Sequence, residues 1–145
     1  MRDLEELVSN FLVVLADMRD KFIRPADLIA RSRLGPLQFY ALSVLYREGS
    51  LSMSELAGEM QVSKQQLTPL VDRLIENGLL VRKADENDRR KVLLAVTGPG
   101  RGLYDALYGE ITYSIAEKFK TLPLRELEEL EQLLKRGHEI LKSIN

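Results

Sequence analysis

The chain has 145 residues, 45% hydrophobic and 30% charged, with a formal net charge of −1, a balance typical of one globular domain. It contains no cysteine, which excludes disulfides, thiolate metal sites and cysteine-based redox sensing. No apolar run approaches the roughly 20 residues of a membrane span, and the acidic first residues are unlike a signal peptide, so we expect a cytoplasmic protein with no membrane partner.

The first predicted element is a long amphipathic helix. Apolar residues recur at steps of three and four from Leu4 to Phe22, which is the spacing of one helix face. We expect this helix to run from about Asp3 to about Ala30. It should bend near Pro25, because proline removes a backbone donor and crowds the preceding turn.

A second helix is expected to open at Gly35 and Pro36 and to end before Gly49. Proline is favoured at the first helical position, because the N–H that it lacks has no partner there in any helix. The next residues, 51–53, are predicted to form a short extended stretch.

Two short capped helices joined by a tight turn are predicted next. The first begins at a capping box, Ser52 to Glu55, in which the serine oxygen and the carboxylate satisfy free N–H groups. The second begins at a similar box, Ser63 to Gln66, and ends at Asn77 and Gly78, where glycine can adopt the left-handed cap. Such a pair forms a helix-turn-helix, although a plain helical hairpin in a bundle has the same local pattern.

A β-hairpin is expected directly after the second short helix. The segments 79–83 and 91–96 are rich in branched and apolar residues, as strands are. The polar loop 84–90 between them contains turn-favouring Asp and Asn. A hairpin in this place is a wing, which argues against the plain helical hairpin.

Two helices are predicted at the end of the chain. Thr97 caps the first, whose apolar residues are spaced by four from Leu103 to Phe119, and Pro123 separates it from a last helix that continues almost to Asn145. The apolar stripes of the outer helices could pack together within one chain or against a second copy. We favour the second copy, because a reader of palindromic DNA needs twofold symmetry.

Charge is distributed unevenly along the chain. Residues 61–91 contain seven basic and five acidic side chains, whereas the remainder contains fourteen basic and seventeen acidic ones. A mildly basic middle is compatible with a nucleic-acid interface there. No phosphate-binding loop, nucleophile elbow or zinc-ligand spacing is present, and the single histidine, His138, lies in a polar helical stretch, so we expect neither an enzyme nor a cofactor.

The order of these elements and several motifs resemble the MarR family of winged-helix regulators over nearly the full length. The motif in the wing, Asp88-x-Arg90 followed by a strand and Thr97-x-x-Gly100, is the most specific part. The matching motifs are Leu56-Ala57, Val62-Ser63-Lys64-Gln65-Gln66-Leu67-Thr68, Leu70-Val71-Asp72-Arg73-Leu74, Asn77-Gly78-Leu79-Leu80, Asp85-x-x-Asp88-Arg89-Arg90, Val92-Leu93-Leu94 and Thr97-x-x-Gly100.

This resemblance implies a mainly α winged helix-turn-helix with a small β-hairpin wing and long dimerisation helices at both ends. We place the N-terminal dimerisation region at 1–34, the DNA-binding lobe at 35–97 and the C-terminal dimerisation helices at 98–145, with the helix-turn-helix at about 53–77 and the wing at about 79–96. The resemblance also implies a homodimer that binds a palindromic double-stranded DNA operator, and often repression that a small effector relieves. The resemblance implies a phenolic or lipophilic effector, which Tyr40, Tyr104 and Tyr108 could contact, but aromatic residues at helical spacing are more often core residues, so no ligand residue is assigned.

The second helix of the helix-turn-helix is expected to turn its polar residues outward. We expect Gln65 to read a base edge, since an amide can pair bidentately with adenine, and Thr68 to contact a thymine methyl group or a phosphate. Ser63 and Lys64 are expected to fix the register on the DNA backbone. Arg73 either pairs with a nearby carboxylate or contacts a phosphate.

The wing has a different expected role. By the resemblance, Arg90 enters the narrow minor groove, where the potential is most negative. Asp88 is expected to hold the loop or the arginine by a charge-assisted hydrogen bond. Arg89 and Lys91 are then expected to meet phosphates.

One residue departs from this pattern. Pro69 lies inside the second helix of the helix-turn-helix, where it removes a hydrogen bond and is expected to kink the helix. This proline and the net acidity leave an alternative open, in which the chain is a winged-helix protein–protein interaction module without DNA binding.

Overall fold

A computed structural model describes the backbone of residues 2–144, which contains seven α-helices and one three-stranded antiparallel sheet. This architecture confirms the predicted fold class, a mainly α winged helix-turn-helix with a small β wing. The chain forms two compact units, Met1–Glu110 and Ile111–Asn145. The elements in chain order are α1 (Arg2–Met18), a π-helical turn (Arg19–Ile23), α2 (Arg24–Arg31), α3 (Pro36–Glu48), β1 (Leu51–Ser52), α4 (Met53–Met60), α5 (Lys64–Glu76), β2 (Leu80–Ala84), β3 (Val92–Val96), α6 (Gly98–Phe119) and α7 (Leu124–Leu141).

The helix predicted over residues 3–30 is present, with a π-helical turn directly before α2, whose second residue is Pro25. In that turn the N–H of Arg24 donates to the carbonyl of Arg19, five residues back. Pro25 follows at the start of α2. The wider turn accommodates the proline ring, which in a regular helix would crowd the carbonyl of Lys21.

The core of the first unit is formed by α3, α4, α5, the sheet and the start of α6. Burying one Leu or Val side chain contributes about 1.5–3 kcal/mol relative to leaving it exposed, so this cluster supplies most of the stability of the unit. Leu70 and Ile75 of α5 pack at its margin. The largest fully buried side chains are Leu42, Leu45, Leu56, Leu67, Leu74, Leu80, Leu94, Leu107, Val44 and Val71.

The wing is part of a sheet with the strand order β1-β3-β2. The hairpin of β2 and β3 is present with bounds shifted by about one residue from the predicted segments. The extended stretch predicted at 51–53 contributes a third strand, because Leu51 pairs with Leu94 of β3. The base of the wing is therefore anchored on the segment that leads into the helix-turn-helix.

Thr97 and Gly100 join the start of α6 to the end of α5. The Thr97 hydroxyl donates to the Gly78 carbonyl (2.5 Å) and accepts the N–H of Gly100 (3.1 Å), which confirms the predicted helix cap. The N–H of Thr97 donates to the Leu79 carbonyl (3.1 Å). A Cβ atom at Gly100 would lie 2.2 Å from that same carbonyl oxygen. The close approach of the Leu79 backbone therefore explains the glycine of the Thr97-x-x-Gly100 motif.

We predict that Gly100→Ala lowers the free energy of unfolding by at least about 1–3 kcal/mol, the usual cost of overpacking, because the Leu79 carbonyl must move. Gly102→Ala is the matched control, because a Cβ there meets no heavy atom within 4 Å. That control should gain up to about 1 kcal/mol of helix propensity. Urea unfolding followed by circular dichroism measures both, and equal stabilities for the two variants would contradict the prediction.

The second unit consists of the end of α6 and all of α7. Pro123 precedes α7, as predicted, and α7 ends at Leu141, a little earlier than we expected. None of the helices within residues 2–144 combines the length and apolarity that a bilayer span needs. The large apolar residues of α7 that are at least half exposed are Leu124, Leu133, Leu134, Ile140 and Leu141.

Candidate DNA interface

The second helix of the helix-turn-helix, α5, begins at a complete capping box. The Ser63 hydroxyl accepts the N–H of Gln66 (3.1 Å), and the Gln66 side chain accepts the N–H of Ser63 (3.2 Å). The start of the helix is therefore fixed by local hydrogen bonds. The Gln66 side-chain oxygen is used in this cap, whereas the neighbouring Gln65 side chain is exposed and takes no part in it.

The rotation of α5 about its axis follows from what it buries. Leu67 and Val71 are 1% and 0% exposed, so they face the core. Lys64, Gln65 and Thr68 are exposed on the other side, as predicted. The Thr68 hydroxyl donates to the Lys64 carbonyl (2.7 Å), which leaves its methyl group for an apolar contact.

Arg73 and its neighbour Asp72 take different places. Asp72 accepts a hydrogen bond from Arg82 of β2 (2.8 Å), so the acid next to Arg73 already has a basic partner. Arg73 is exposed and lines a surface depression together with Gly35 and Gln38, at the start of α3. This position leaves the Arg73 guanidinium accessible from solvent.

Pro69 does not interrupt α5, which runs from Lys64 to Glu76 as one helix. Its side chain is exposed and lines the depression beside Gly35. Proline cannot donate to the Gln65 carbonyl, so one hydrogen bond of the helix is missing. The burial of Leu67 and Val71 on either side of Pro69 holds the helix together across this gap.

The tip of the wing is ordered by its own hydrogen bonds. Asp85 accepts the N–H of Asn87 (2.9 Å), and the Asp88 carboxylate accepts the N–H of Arg90 (3.0 Å). Backbone bonds from Asp85 to Lys91 and from Lys91 to Asp88, both 2.9 Å, close the loop. Of the two roles expected for Asp88, the structure shows that it holds the loop, and it leaves the Arg90 side chain exposed.

Arg89 and Arg90 project from this tip with exposed side chains. Lys91 is placed differently, because its ammonium lies 2.6 Å from the carboxylate of Glu55 in α4. Glu55 also closes the capping box of α4 by accepting the N–H of Ser52 (2.8 Å). One carboxylate therefore serves both the helix-turn-helix and the wing.

This ion pair changes the titration of both partners. The hydrogen bond from Lys91 lowers the pKa of Glu55, and the bond to Glu55 raises the pKa of Lys91. Because the pKa of Glu55 is lowered in the folded protein, its carboxylate stabilises the fold at pH values above the usual carboxyl pKa. This contribution is lost as the pH falls through the lowered pKa. Because the pKa of Lys91 is raised, its ammonium stabilises the fold at pH values below the usual lysine pKa, and this contribution is lost only in strong alkali. The ion pair is therefore intact at neutral pH.

Sequence reasoning missed Glu55, Asp72 and Arg82 as parts of this region. Glu55 was recognised for its cap, but the sequence gives no signal that its second oxygen meets Lys91. Asp72 and Arg82 are separated by 10 residues and lie on different elements, so no helical or strand spacing connects them. Among the described residues, no group of three or more His, Asp or Glu side chains could hold a metal ion.

A second surface feature lies between α3 and the start of α6. Tyr104 stacks on Tyr46 and on Tyr108, with ring centroids 4.3 and 5.9 Å apart. The Tyr46 hydroxyl donates to Asp105 (2.7 Å), and this bond raises the pKa of Tyr46. An open groove of about 550 Å³ is lined by Ser43, Tyr46, Arg47, Tyr104, Asp105 and Tyr108.

Comparison with known proteins agrees with this geometry. Residues 34–92 match the MarR family. The HTH-type transcriptional regulator MhqR of Bacillus subtilis (strain 168) is 30% identical over 108 residues, which cover 74% of each chain. The HTH-type transcriptional repressor MdtR of the same strain is 32% identical over 102 residues, covering 69% of this chain and 65% of MdtR.

The fold is also shared with solved structures. A MarR family protein from Bacillus stearothermophilus superposes with a TM-score of 0.81, covering 98% of this chain and 97% of that one. The two sequences are 24% identical, so this likeness establishes the fold alone.

Proposed function

Because the chain belongs to the MarR family of DNA-binding transcriptional regulators, we propose that it is a repressor that binds a palindromic operator as a homodimer and responds to a small effector. One observation carries the DNA-binding part of this proposal. The exposed side of α5 and the exposed arginines of the wing tip are the two surfaces that a winged helix lays on a duplex. The repressor named MdtR supports the sign of regulation.

The polar side of α5 is assigned to the major groove. Gln65 reads a base edge, and Thr68 contributes its methyl group to a thymine contact. Ser63 and Lys64 meet phosphates, because the free N–H groups at the start of a helix attract anions. Arg73 contacts a phosphate beside the depression at the start of α3, a role supported by its exposed guanidinium.

The wing is assigned to the minor groove. Arg90 enters it, since a guanidinium is attracted by the negative potential of a narrow groove. Arg89 meets a neighbouring phosphate, and Asp88 keeps the loop in the conformation that presents both arginines. The hydrogen bond from the Arg90 N–H to Asp88 supports this role.

We predict that Arg90→Ala weakens operator binding by at least about 1–3 kcal/mol, the usual scale of one good contact. A gel-shift titration on an operator duplex obtained by in vitro selection measures the change. Arg125→Ala removes the same charge from α7, outside the helix-turn-helix and the wing, and should leave the affinity unchanged. Equal affinities for wild type and Arg90→Ala would remove Arg90 from the interface.

Dimerisation is assigned to the outer helices, in the regions 1–34 and 98–145, around the DNA-binding lobe 35–97. The helix α1 supports this assignment, because Leu4, Leu7 and Phe11 are 63%, 63% and 47% exposed on one stripe. An exposed apolar stripe of this length needs a cover in water. Members of the family commonly act as dimers, so a second copy is the proposed cover.

We predict that Phe11→Glu converts the dimer into a monomer, because a carboxylate on the stripe cannot be buried without a partner. Val13→Glu makes a similar change on the opposite side of α1 and should leave the dimer intact. Sedimentation velocity distinguishes the two. The assignment fails if Phe11→Glu still sediments as a dimer or if the wild type is monomeric.

The tyrosine groove between α3 and α6 is assigned to the effector. Of the three tyrosines considered from the sequence, Tyr104 and Tyr108 line it. Stacked rings accept a flat aromatic molecule, and Ser43 and Asp105 offer hydrogen-bond partners to a phenolic hydroxyl.

We predict that a substituted phenol releases the protein from its operator and that Tyr108→Leu weakens this response at least about threefold, because one stacking face is lost. Tyr113→Leu, at another exposed tyrosine of α6, should respond like the wild type. Fluorescence anisotropy of the labelled operator during phenol titration measures both. No release by any phenol in the panel would contradict an aromatic effector.

The competing hypothesis is that the chain is a protein–protein interaction module without DNA binding. It is supported by the net charge of −1. A DNA-binding protein retains weak affinity for random duplex at low salt, whereas an interaction module does not. Anisotropy with a random duplex therefore separates the two readings.

A further inference from the structure

The returning end of the wing is tied to the first helix of the helix-turn-helix by one ion pair. The Lys91 ammonium and the Glu55 carboxylate are 2.6 Å apart, although 36 residues separate them in the chain. Their side chains are 40% and 43% exposed, so water has access to both. Lys91 directly follows the two exposed arginines of the wing tip.

Both ends of this ion pair are held by other bonds. The second carboxylate oxygen of Glu55 accepts the N–H of Ser52, and the Glu55 N–H donates to the Ser52 hydroxyl. The backbone of Lys91 is hydrogen-bonded on both sides, to Asp88 and to Asp85. An ion pair between groups that are already ordered costs less side-chain entropy than one between free side chains. It therefore limits the motion of the wing relative to α4.

We propose that Glu55 is a positioning residue for DNA binding: by holding Lys91, it fixes the direction in which the wing presents Arg89 and Arg90. This inference rests on the proposed function, since it concerns how the wing reaches the duplex. It replaces the phosphate contact that we expected of Lys91, because the ammonium is engaged by Glu55 on α4.

The two roles of Lys91 predict opposite effects of removing the Glu55 charge. If Lys91 bound a phosphate, Glu55 would compete for it and repel the DNA backbone, so neutralising Glu55 would strengthen binding. If Lys91 instead holds the wing in place through its ion pair with Glu55, neutralising Glu55 frees the wing and weakens binding.

Glu55→Gln is a clean variant, because this chain shows that glutamine can close the same type of cap. In α5 the Gln66 side chain accepts the N–H of its capping serine at 3.2 Å. Glu55→Gln therefore keeps the capping box of α4 and removes the charge. Glu59→Gln removes the same charge from an exposed position on the same helix and is the matched control.

The test is fluorescence anisotropy on an operator duplex obtained by in vitro selection, at several salt concentrations, with hydroxyl-radical footprinting. We expect Glu55→Gln and Lys91→Gln each to weaken binding about threefold to fivefold, the scale of an ordered surface ion pair. The double variant should be no weaker than Lys91→Gln alone, because both changes break one interaction. Glu59→Gln should bind like the wild type.

Two further measurements distinguish a positioning role from a direct phosphate contact of Lys91 and from unfolding of the lobe. The salt slopes of Glu55→Gln and Lys91→Gln should be equal, because both variants break the same ion pair, whereas a lost phosphate contact of Lys91 would lower only the slope of Lys91→Gln, by about one for each copy. Footprint protection should be lost where the wing lies and kept where α5 lies, which an unfolded lobe would not produce.

Binding by Glu55→Gln that is as tight as wild type or tighter would overturn the inference, as would a lower salt slope for Lys91→Gln than for Glu55→Gln. If the wild type itself retained no duplex, the proposed function would fail first. The wild-type titration thus distinguishes a failure of the proposed function from a failure of the positioning role of Glu55 alone.

Discussion

The helix α5 can present a polar side to solvent, and so to DNA, only because its other side is buried. Leu67, Val71 and Leu74 are 0–1% exposed, and removing one such side chain typically costs about 2–5 kcal/mol. Since successive residues of a helix are rotated by a fixed angle, burying these three decides that Lys64 and Gln65 lie outside. The same side chains are surrounded by α3, α4 and the sheet, so the packing that stabilises the lobe also aims its reading surface.

Stability and direction come from different interactions in this lobe. An exposed ion pair contributes at most about 1 kcal/mol, far less than the apolar core. Nevertheless, the Arg82–Asp72 pair connects β2 of the wing to α5. The Lys91–Glu55 pair connects the residue before β3 to α4. Weak interactions are sufficient here, because the base of the wing is already anchored by β1 and they only limit the remaining motion of its tip.

Local features of the fold were predictable from the sequence, and long-range pairings were not. Both capping boxes and the bounds of α3, α4 and α5 follow from neighbouring residues, so they were found to within about a residue. The pairing of Leu51 with Leu94 and the partner of Lys91 depend on packing between distant segments. Many carboxylates were equally available to Lys91. Pro69 illustrates a local rule limited by tertiary context, since it removes one hydrogen bond of α5 and the burial of its neighbours keeps α5 continuous. The roles of the individual site residues at DNA remain predictions.

A net charge of −1 is compatible with binding a polyanion if the cations are placed rather than numerous. Within residues 61–91 as the structure describes them, two of the seven basic side chains are held by carboxylates, which leaves Lys64, Arg73, Lys83, Arg89 and Arg90 without an ion pair. Phosphate contacts contribute about 0.9 each to the salt dependence of binding, so these five side chains would contribute about four to five per copy if each met a phosphate. The uncharged amide of Gln65, proposed for a base edge, would add selectivity without adding to that sum. Affinity in such a protein therefore depends on where the wing and α5 hold a few side chains rather than on the number of its cations.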